Sequence, residues 1–218
     1  KTTWANTQAK VDKAYKKVRD EVEKGAQAYV VCPLVDVSAK IEAASAIEKF
    51  EDLKVGELKG LNVGLIHGQM KGTEKSQVMS EFVSGKTDVL VSTTVIEVGV
   101  DVANASVMVI EDAQRFGLSQ LHQLRGRVGR GSRESFCFLC SSNFTDKGEA
   151  RLDAMETVDD GFELAEIDLE LRGAGQLLGA SQSGIGDLKL GVLPRDVKYI
   201  DFAREVAEAI YDKDDQLI

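Results

Sequence analysis

Arginine recurs over residues 115–133, and it is the residue type in this chain best suited to holding phosphate. The segment has five arginines and no acidic residue, although the whole chain has a formal net charge of -9. Its densest part, residues 123–131, reads Gln-Leu-Arg-Gly-Arg-Val-Gly-Arg-Gly. A guanidinium group is always charged and grips phosphate oxygens at two points, while glycine lets the backbone turn tightly. The pattern indicates a phosphate-binding loop, and the alternative is a surface loop whose arginines pair with nearby acids.

A second polar segment, residues 92–101, follows an apolar run and reads Ser-Thr-Thr-Val-Ile-Glu-Val-Gly-Val-Asp. Thr93 and Thr94 can offer hydroxyl and backbone N–H groups to a phosphate. Gly99 permits close approach, and Asp101 offers a carboxylate to a ribose hydroxyl. Alone, this segment could be an ordinary turn after a strand. Together with the arginine-rich segment, it predicts a site for phosphate-bearing ligands.

Hydrophobic spacing predicts alternating helices and strands up to about residue 145. Apolar runs predict five strands, over residues 28–33, 61–66, 88–92, 107–110 and 135–140. Apolar residues at helical spacing predict helices over residues 11–22, 38–51, 73–83 and 119–125. Such alternation is typical of a doubly wound parallel sheet with helices on both faces. We therefore predict an α/β domain over residues 1–145.

Ligands in such sheets bind where the carboxyl ends of the strands open into loops. His67 and Gly68 follow the second predicted strand, and the two threonines follow the third. The arginine-rich segment precedes the fifth, and we expect all three motifs to gather at this edge. A lone histidine is more often a packing residue than a catalyst, so His67 is assigned no proton-transfer role.

The charge, hydrophobicity and cysteine content of the chain restrict the class of protein to which it could belong. Residues 146–170 hold ten acidic and two basic residues. This acidic segment makes the net charge negative, although another part of the chain carries a local positive charge. No apolar run is long enough to cross a bilayer, and three cysteines fit a reducing, cytoplasmic compartment. Cys137 and Cys140 are three residues apart in a predicted strand, so they point to opposite faces and should be core residues rather than metal ligands. The chain starts at Lys1 without a signal-like segment, and we expect it to be part of a longer protein.

The two polar segments together resemble the second motor lobe of superfamily 2 helicases and translocases, in which they are motif V and motif VI. The resemblance implies a RecA-like lobe that hydrolyses ATP in a cleft completed by a first lobe. It implies that Arg127 and Arg130 reach the γ-phosphate, one of them as an arginine finger. Gln123 would orient the phosphates or the attacking water, and Arg125 would brace the interface between lobes. For Gln123 and Arg125, structural hydrogen bonding is the alternative.

The same resemblance implies which ligands the protein binds and which residues would contact them. ATP would bind with Mg²⁺, and Gly99 and Asp101 would contribute to the nucleotide site. No phosphate-binding loop and no magnesium-holding Asp-Glu pair occur here, so the magnesium ligands would lie on the missing first lobe and no residue here is predicted to bind metal. The loop at His67 and Gly68 resembles one whose backbone amides touch nucleic acid, and Thr93 and Thr94 are assigned to DNA as well.

Residues 146–218 are predicted to form an appendage of helices and loops. Residues 161–175 read Gly-Phe-Glu-Leu-Ala-Glu-Ile-Asp-Leu-Glu-Leu-Arg-Gly-Ala-Gly, and Gln-Ser-Gly follows at 182–184. This is similar to the translocation element, a helical hairpin and loop, of RecG-type helicases and the bacterial transcription-repair coupling factor. Arg172 and Gln182 would couple lobe closure to movement along DNA. Ala103 and Ala174 stand where the family commonly has proline, and a solvated helical cap is the structural alternative.

The resemblance implies part of a bacterial ATP-dependent translocase that acts on double-stranded DNA and remodels branched DNA such as stalled replication forks. Its partners would be duplex or branched DNA and the first motor lobe and wedge domain of the same protein, with no membrane. The fragment alone should not turn over ATP. Two alternatives remain open, the motor of the coupling factor and a non-catalytic module that binds DNA.

Overall fold

The computed structural model describes residues 1–33, 39–93, 102–141 and 145–172, together with the single positions 202, 204 and 206. The predictions for Thr94, Gly99, Asp101 and Gln182, and for the side chain of Arg172, lie outside the described residues. Apolar residues at helical spacing also predict a closing helix over residues 197–210, of which the structure describes only the three single positions, and they are helical.

Six strands in the described ranges form one sheet in which every neighbouring pair is parallel. They are β1 (Thr2–Ala5), β2 (Gln27–Cys32), β3 (Val63–Ile66), β4 (Val89–Thr93), β5 (Ala105–Ile110) and β6 (Phe136–Cys140), in the order β1-β6-β5-β2-β4-β3. The predicted parallel α/β sheet is confirmed. The sequence reading missed β1, because half of this strand is threonine and its apolar run consists of two residues only.

The helices are α1 (Gln8–Glu23), α2 (Ala39–Val55), α3 (Gly72–Val83), α4 (Leu118–Arg125), α5 (Asp146–Thr157) and α6 (Gly161–Arg172), with a 3-10 turn at Ala113–Arg115. Helix α1 forms because Ala14, Tyr15 and Val18 recur on one face, where they are buried. Gly25 follows with a φ of 80°, a left-handed conformation that suits glycine. None of the helices in the described ranges combines the length and the apolar character needed to cross a membrane.

The centre of the sheet is buried on both faces. Every residue of β2, β4 and β5 is buried, which agrees with the near-continuous apolar runs expected of strands covered on both sides. Cys32, Cys137 and Cys140 are all buried free thiols. The prediction that Cys137 and Cys140 are core residues is therefore confirmed.

The chain divides into two compact units, Lys1–Asp159 and Asp160–Ile218. Helix α5 belongs to the first unit, since its Glu156 carboxylate accepts a hydrogen bond from Trp4 N of β1 at 3.1 Å. Arg151 of α5 also donates to the Phe116 carbonyl oxygen at 3.0 Å. The sequence prediction placed the boundary at residue 145, before α5. The first unit of the structure instead extends to the end of the loop that follows this helix.

Burial should make the thiols unreactive in the folded protein. It raises the pKa of Cys137 to about 12 and that of Cys32 to about 12. At pH 8 such a thiol is ionised in about one molecule in ten thousand, and the thiolate is the nucleophile. We therefore expect Ellman's reagent at pH 8 to label no thiol rapidly in the native chain and all three in urea. Rapid labelling of one thiol without denaturant would contradict this packing.

Candidate functional site

The arginine-rich loop, residues 126–135, lies at the amino edge of the sheet. Gly129 N donates to the carbonyl oxygen of Ala105, the first residue of β5, at 3.4 Å. The terminal amino group of Lys1, just before β1, donates to the Ser135 carbonyl oxygen at 2.7 Å. The prediction that this loop joins the other polar motifs at the carboxyl edge is therefore wrong. Helix α4 runs back along the sheet from the end of β5, and it delivers the loop to the opposite edge.

Three side chains of this region were predicted to meet the nucleotide, and all reach the surface to some degree. Gln123 and Arg130 are exposed, and Arg127 is half-buried. Arg130 Nε donates to the Gly126 carbonyl oxygen at 3.0 Å, which folds its side chain back toward the residue before Arg127. Arg127 and Arg130 thus lie three residues apart on one loop. Such a pair is suited to gripping an anion with several oxygens, such as a polyphosphate.

Two glycines allow the loop to adopt this shape. Gly129 has a φ of 80°, and a Cβ atom there would lie 2.5 Å from Ser135 Oγ. A Cβ atom on Gly131 would lie 2.5 Å from the backbone oxygen of Ala103. Ala103 occupies one of the two positions at which this sequence departs from the resembling family. The glycines interleaved with the arginines are therefore required by close contacts with Ala103 and Ser135.

Arg125 does not share the surroundings of the other arginines of the motif. Its guanidinium donates to the carbonyl oxygens of Val158 at 2.8 Å and Asp159 at 3.0 Å, and its side chain is only 14% exposed. The structural alternative raised by the sequence, hydrogen bonding within the lobe, describes this arrangement. Arg125 binds the end of α5, and its buried position was not readable from a motif in which every arginine looks alike.

The loop after β3 lies at the carboxyl edge, where a nucleic acid was expected. Gly68 is exposed, His67 is half-buried, and Lys75 Nζ donates to the Gly68 carbonyl oxygen at 2.9 Å. Helix α3 starts four residues later, with Lys71 exposed beside its first turn. The first N–H groups of a helix and nearby lysines both favour phosphate. This loop has the chemistry of a contact to a phosphate backbone.

Thr93 was also expected to contact DNA, but its side chain is not accessible. It ends β4 at the carboxyl edge, but the residue is only 2% exposed and its hydroxyl has no hydrogen-bond partner. In this conformation the side chain cannot touch DNA. The Nδ1 atom of His67 is likewise buried without a hydrogen-bond partner. The described part of the carboxyl edge therefore presents phosphate-binding groups through Gly68, Lys71 and the start of α3.

A partly buried cluster at the carboxyl end of β5 was not found from the sequence. The Glu111 carboxylate accepts a hydrogen bond from Tyr15 OH and lies 3.3 Å from Lys49 Nζ. Burial, reinforced by Glu111, raises the pKa of Tyr15. Burial acts to lower the pKa of Lys49, but the Glu111 carboxylate outweighs it and the pKa is raised. The three residues come from separate elements, so no local spacing signals them, and they line a polar cavity of about 250 Å³.

Comparison with known proteins gives two family matches. Residues 9–132 match the model of the helicase conserved C-terminal domain, and residues 158–218 match the C-terminal part of domain 3 of the ATP-dependent DNA helicase RecG. The ATP-dependent DNA helicase RecG of Synechocystis sp. is 47% identical over 203 residues, which are 93% of this chain and 24% of that protein. The Bacillus subtilis protein of the same name is 48% identical over 190 residues, 87% of this chain and 28% of that protein. The chain thus spans about a quarter of the length of these curated relatives.

Solved structures agree with these matches. The structure of RecG bound to a three-way DNA junction is 46% identical, with a TM-score of 0.63, and the match covers 77% of this chain and 21% of that one. S. cerevisiae Dbp5 bound to RNA and ADP BeF3 is 17% identical, with a TM-score of 0.51, and the match covers 78% of this chain and 44% of that one. The second likeness concerns the fold alone, and it agrees with a RecA-like lobe.

The tight packing of the arginine-rich loop can be tested at Gly131. We expect Gly131→Ala to lower the free energy of unfolding by about 1–3 kcal/mol, because the added methyl group would press on a backbone oxygen. Gly72→Ala is the matched control, since a Cβ atom there has no neighbour within 4 Å. Urea unfolding followed by circular dichroism measures both. Equal midpoints for the two variants would contradict the close approach to Ala103.

Proposed function

This chain belongs to the family of the helicase conserved C-terminal domain, in its RecG branch, and we propose that it is the second motor lobe and translocation element of an ATP-dependent double-stranded DNA translocase. The observation that carries the proposal is the loop that holds Arg127 and Arg130 on an edge of the sheet. The proposed substrate is branched DNA, including stalled replication forks that the enzyme would reverse. The likeness to a RecG solved with a three-way DNA junction supports that substrate class.

In the proposed reaction, Arg127 and Arg130 contact the γ-phosphate of ATP held by a first lobe. One of them acts as an arginine finger that stabilises charge on the transferring phosphoryl group. Gln123, exposed one turn before the loop, orients the phosphates or the attacking water. Gly99 and Asp101 are proposed to complete the nucleotide site. These assignments fit the absence of acidic residues from positions 115–133, where an acid would repel the phosphates.

A magnesium ion would neutralise phosphate charge in this reaction, as it does in other phosphoryl transfers. The guanidinium groups of Arg127 and Arg130 are donors only, so they suit the phosphate oxygens and not the metal. The ligands of the ion are therefore proposed to lie on the first lobe. We therefore propose that this chain does not hydrolyse ATP by itself.

DNA is proposed to bind at the carboxyl edge. Gly68, His67 and the start of α3 would hold the phosphate backbone, and Lys71 and Lys75 would add positive charge. Thr94 is proposed to join them, while Thr93 would contact DNA only if β4 opened at its end. Contacts to the phosphate backbone do not distinguish one base sequence from another, which suits an enzyme that moves along any duplex.

The second unit is proposed to be the translocation element, with Arg172 and Gln182 as its coupling residues. The match of residues 158–218 to domain 3 of RecG favours this reading over the coupling factor. A wedge domain of the same protein is proposed to recognise the branch. Three free buried cysteines support a reducing cytoplasmic location in a bacterium.

The arginine-finger role can be tested in the full-length protein. We expect Arg127→Ala to lower the DNA-stimulated ATPase rate by about a thousandfold or more, because it removes charge stabilisation from the transition state. Arg133→Ala is the control, since it removes an exposed arginine from the same loop outside the repeated motif. Steady-state phosphate release with linear duplex and with fork DNA measures both. Near wild-type ATPase in the Arg127 variant would refute the proposal.

The two ends of α3 offer a matched test of the DNA edge. We expect Lys71→Ala to weaken binding of the full-length protein to duplex DNA and to reduce the salt slope of log K by roughly 0.9, the value for one lost phosphate contact. Lys86→Ala removes an equally exposed lysine at the amino-edge end of the same helix and should leave the slope unchanged. Fluorescence anisotropy at several salt concentrations measures both. Identical slopes for the two variants would place the DNA elsewhere.

A further inference from the structure

A crevice opens at the carboxyl edge of the sheet, between β2 and β5. The connection after β2 crosses the sheet toward β3, whereas the connection after β5 crosses it in the opposite direction, toward β6. Because crossovers between parallel strands are right-handed, connections that run in opposite directions lie on opposite faces of the sheet. The strand ends between them are left open. In doubly wound sheets, this is the place where ligands bind.

Two adjoining cavities occupy this part of the edge. The larger is the polar cavity of about 250 Å³ that is lined in part by Tyr15, Lys49 and Glu111. The smaller, of about 130 Å³, shares Lys49 and Glu111 with it and reaches Cys32 at the end of β2 and Arg115 on the 3-10 turn. The larger cavity has room for about eight water molecules at about 30 Å³ each. A short organic molecule therefore fits into it.

The larger cavity carries more negative than positive charge. Of the described residues that line it, Glu57, Glu111 and Asp112 are acidic and Lys49 alone is basic. Glu111 is compensated, since it accepts a hydrogen bond from Tyr15 OH and lies 3.3 Å from Lys49 Nζ. Neither Glu57 nor Asp112 forms an ion pair with a described residue. Two negative charges therefore remain for an occupant to compensate.

Ser141, the residue after β6, is independent evidence that the cavity takes a ligand. It lines the cavity and is only 4% exposed, and its hydroxyl oxygen has no hydrogen-bond partner among the described residues. A buried hydroxyl without a partner is unfavourable, so a ligand or water usually supplies the missing bond. The register pairs Ile110 of β5 with Leu139 of β6, and Asp112 and Ser141 each follow by two residues. The hydroxyl and a carboxylate thus leave neighbouring strands at the same level.

The groups that the fold leaves without partners are hydrogen-bond acceptors, so the ligand must supply donors. A primary ammonium group has three donors and no acceptor, which matches carboxylates and a hydroxyl oxygen. Ala5 and Val11 also line the cavity and give methylene groups an apolar contact. Among the described residues, no group of His, Cys, Asp and Glu side chains is placed to hold a metal ion. An organic dication therefore fits the cavity better than a divalent metal ion.

We propose that this cavity, between α1, α2 and the carboxyl ends of β5 and β6, is a binding site for a short aliphatic diamine. One ammonium group binds the Asp112 carboxylate and the Ser141 hydroxyl oxygen. The other compensates Glu57, and the methylene chain packs against Val11. The site uses none of the residues proposed to bind ATP or DNA, so the inference does not rest on the proposed function.

The test is isothermal titration calorimetry of the full-length protein with 1,4-diaminobutane, without ATP or DNA. We expect saturable binding whose affinity falls about tenfold in Asp112→Asn, which removes a charge, and in Ser141→Ala, which removes a hydrogen bond. Asparagine tolerates the left-handed conformation of Asp112, which has a φ of 46°. The matched control is Asp153→Asn, since it removes an exposed carboxylate that does not line the cavity.

Thermal unfolding separates binding from a structural role of the serine. Without amine, Ser141→Ala should unfold at the wild-type Tm or above it, because the variant loses a buried hydroxyl that has no partner. Adding 1,4-diaminobutane should raise the Tm of the wild type more than that of the variant, since a ligand stabilises the state that binds it. A lower Tm of the variant without amine, or an equal rise in both proteins, overturns the role given to Ser141 and with it the site.

Three further results would also overturn the inference. One is the absence of saturable binding, and another is equal affinity in Asp112→Asn and Asp153→Asn. The third is equal affinity of the wild type for butylamine, which has a single ammonium group and cannot compensate two charges. If Asp112→Asn does not fold, Ser141→Ala decides, and an unchanged affinity overturns the site. Failure here leaves the proposed function untouched, because neither ATP nor DNA enters the test.

Discussion

In a parallel sheet, every connection between strands must carry the chain from the carboxyl edge back to the amino edge. Here α4 makes that return between β5 and β6, and it takes the arginine-rich loop away from the loops that follow the strands. Strand β5 has six residues, which at about 3.3 Å each separates the two edges by about 20 Å. A nucleotide at Arg127 and a DNA backbone at Gly68 therefore cannot share a loop.

This constraint also explains what the sequence could and could not predict. Buried strands such as β2 can be predicted from a continuous run of apolar residues, and helices such as α1 from apolar residues at helical spacing. Both patterns arise because these residues are buried. Strand β1 has no such signal, since its apolar run consists of Trp4 and Ala5 alone. Arg127 and Arg130 were identified by spacing, but their edge of the sheet was assigned wrongly. A motif that precedes a strand lies at its amino end, and sequence order had to be read together with strand direction.

The local charge of each region of this chain depends on which charged groups are paired, and not on the overall composition. The acidic segment that sets the net charge supplies Asp159 and the α5 carbonyl groups that compensate Arg125. At the opposite edge, Glu111 is compensated by Lys49 and by Tyr15 OH, so it adds little negative potential where DNA is proposed to bind. Both pairings join residues from distant parts of the chain. This is why the sequence predicted an electropositive segment but could not separate Arg125, which is engaged in the fold, from Arg130, which is exposed.

If stability alone were required, a largely buried guanidinium such as that of Arg125 would be an unfavourable way to hold α4 and α5 together. Removing a guanidinium from water costs several kcal/mol, and well-packed apolar residues often replace buried charges without loss of stability. Apolar packing, however, tolerates sliding, whereas a planar fork with several fixed acceptors tolerates little change of angle. The contact therefore defines position better than it supplies stability. The fork thus fixes the position of the last turn of α4 relative to the end of α5.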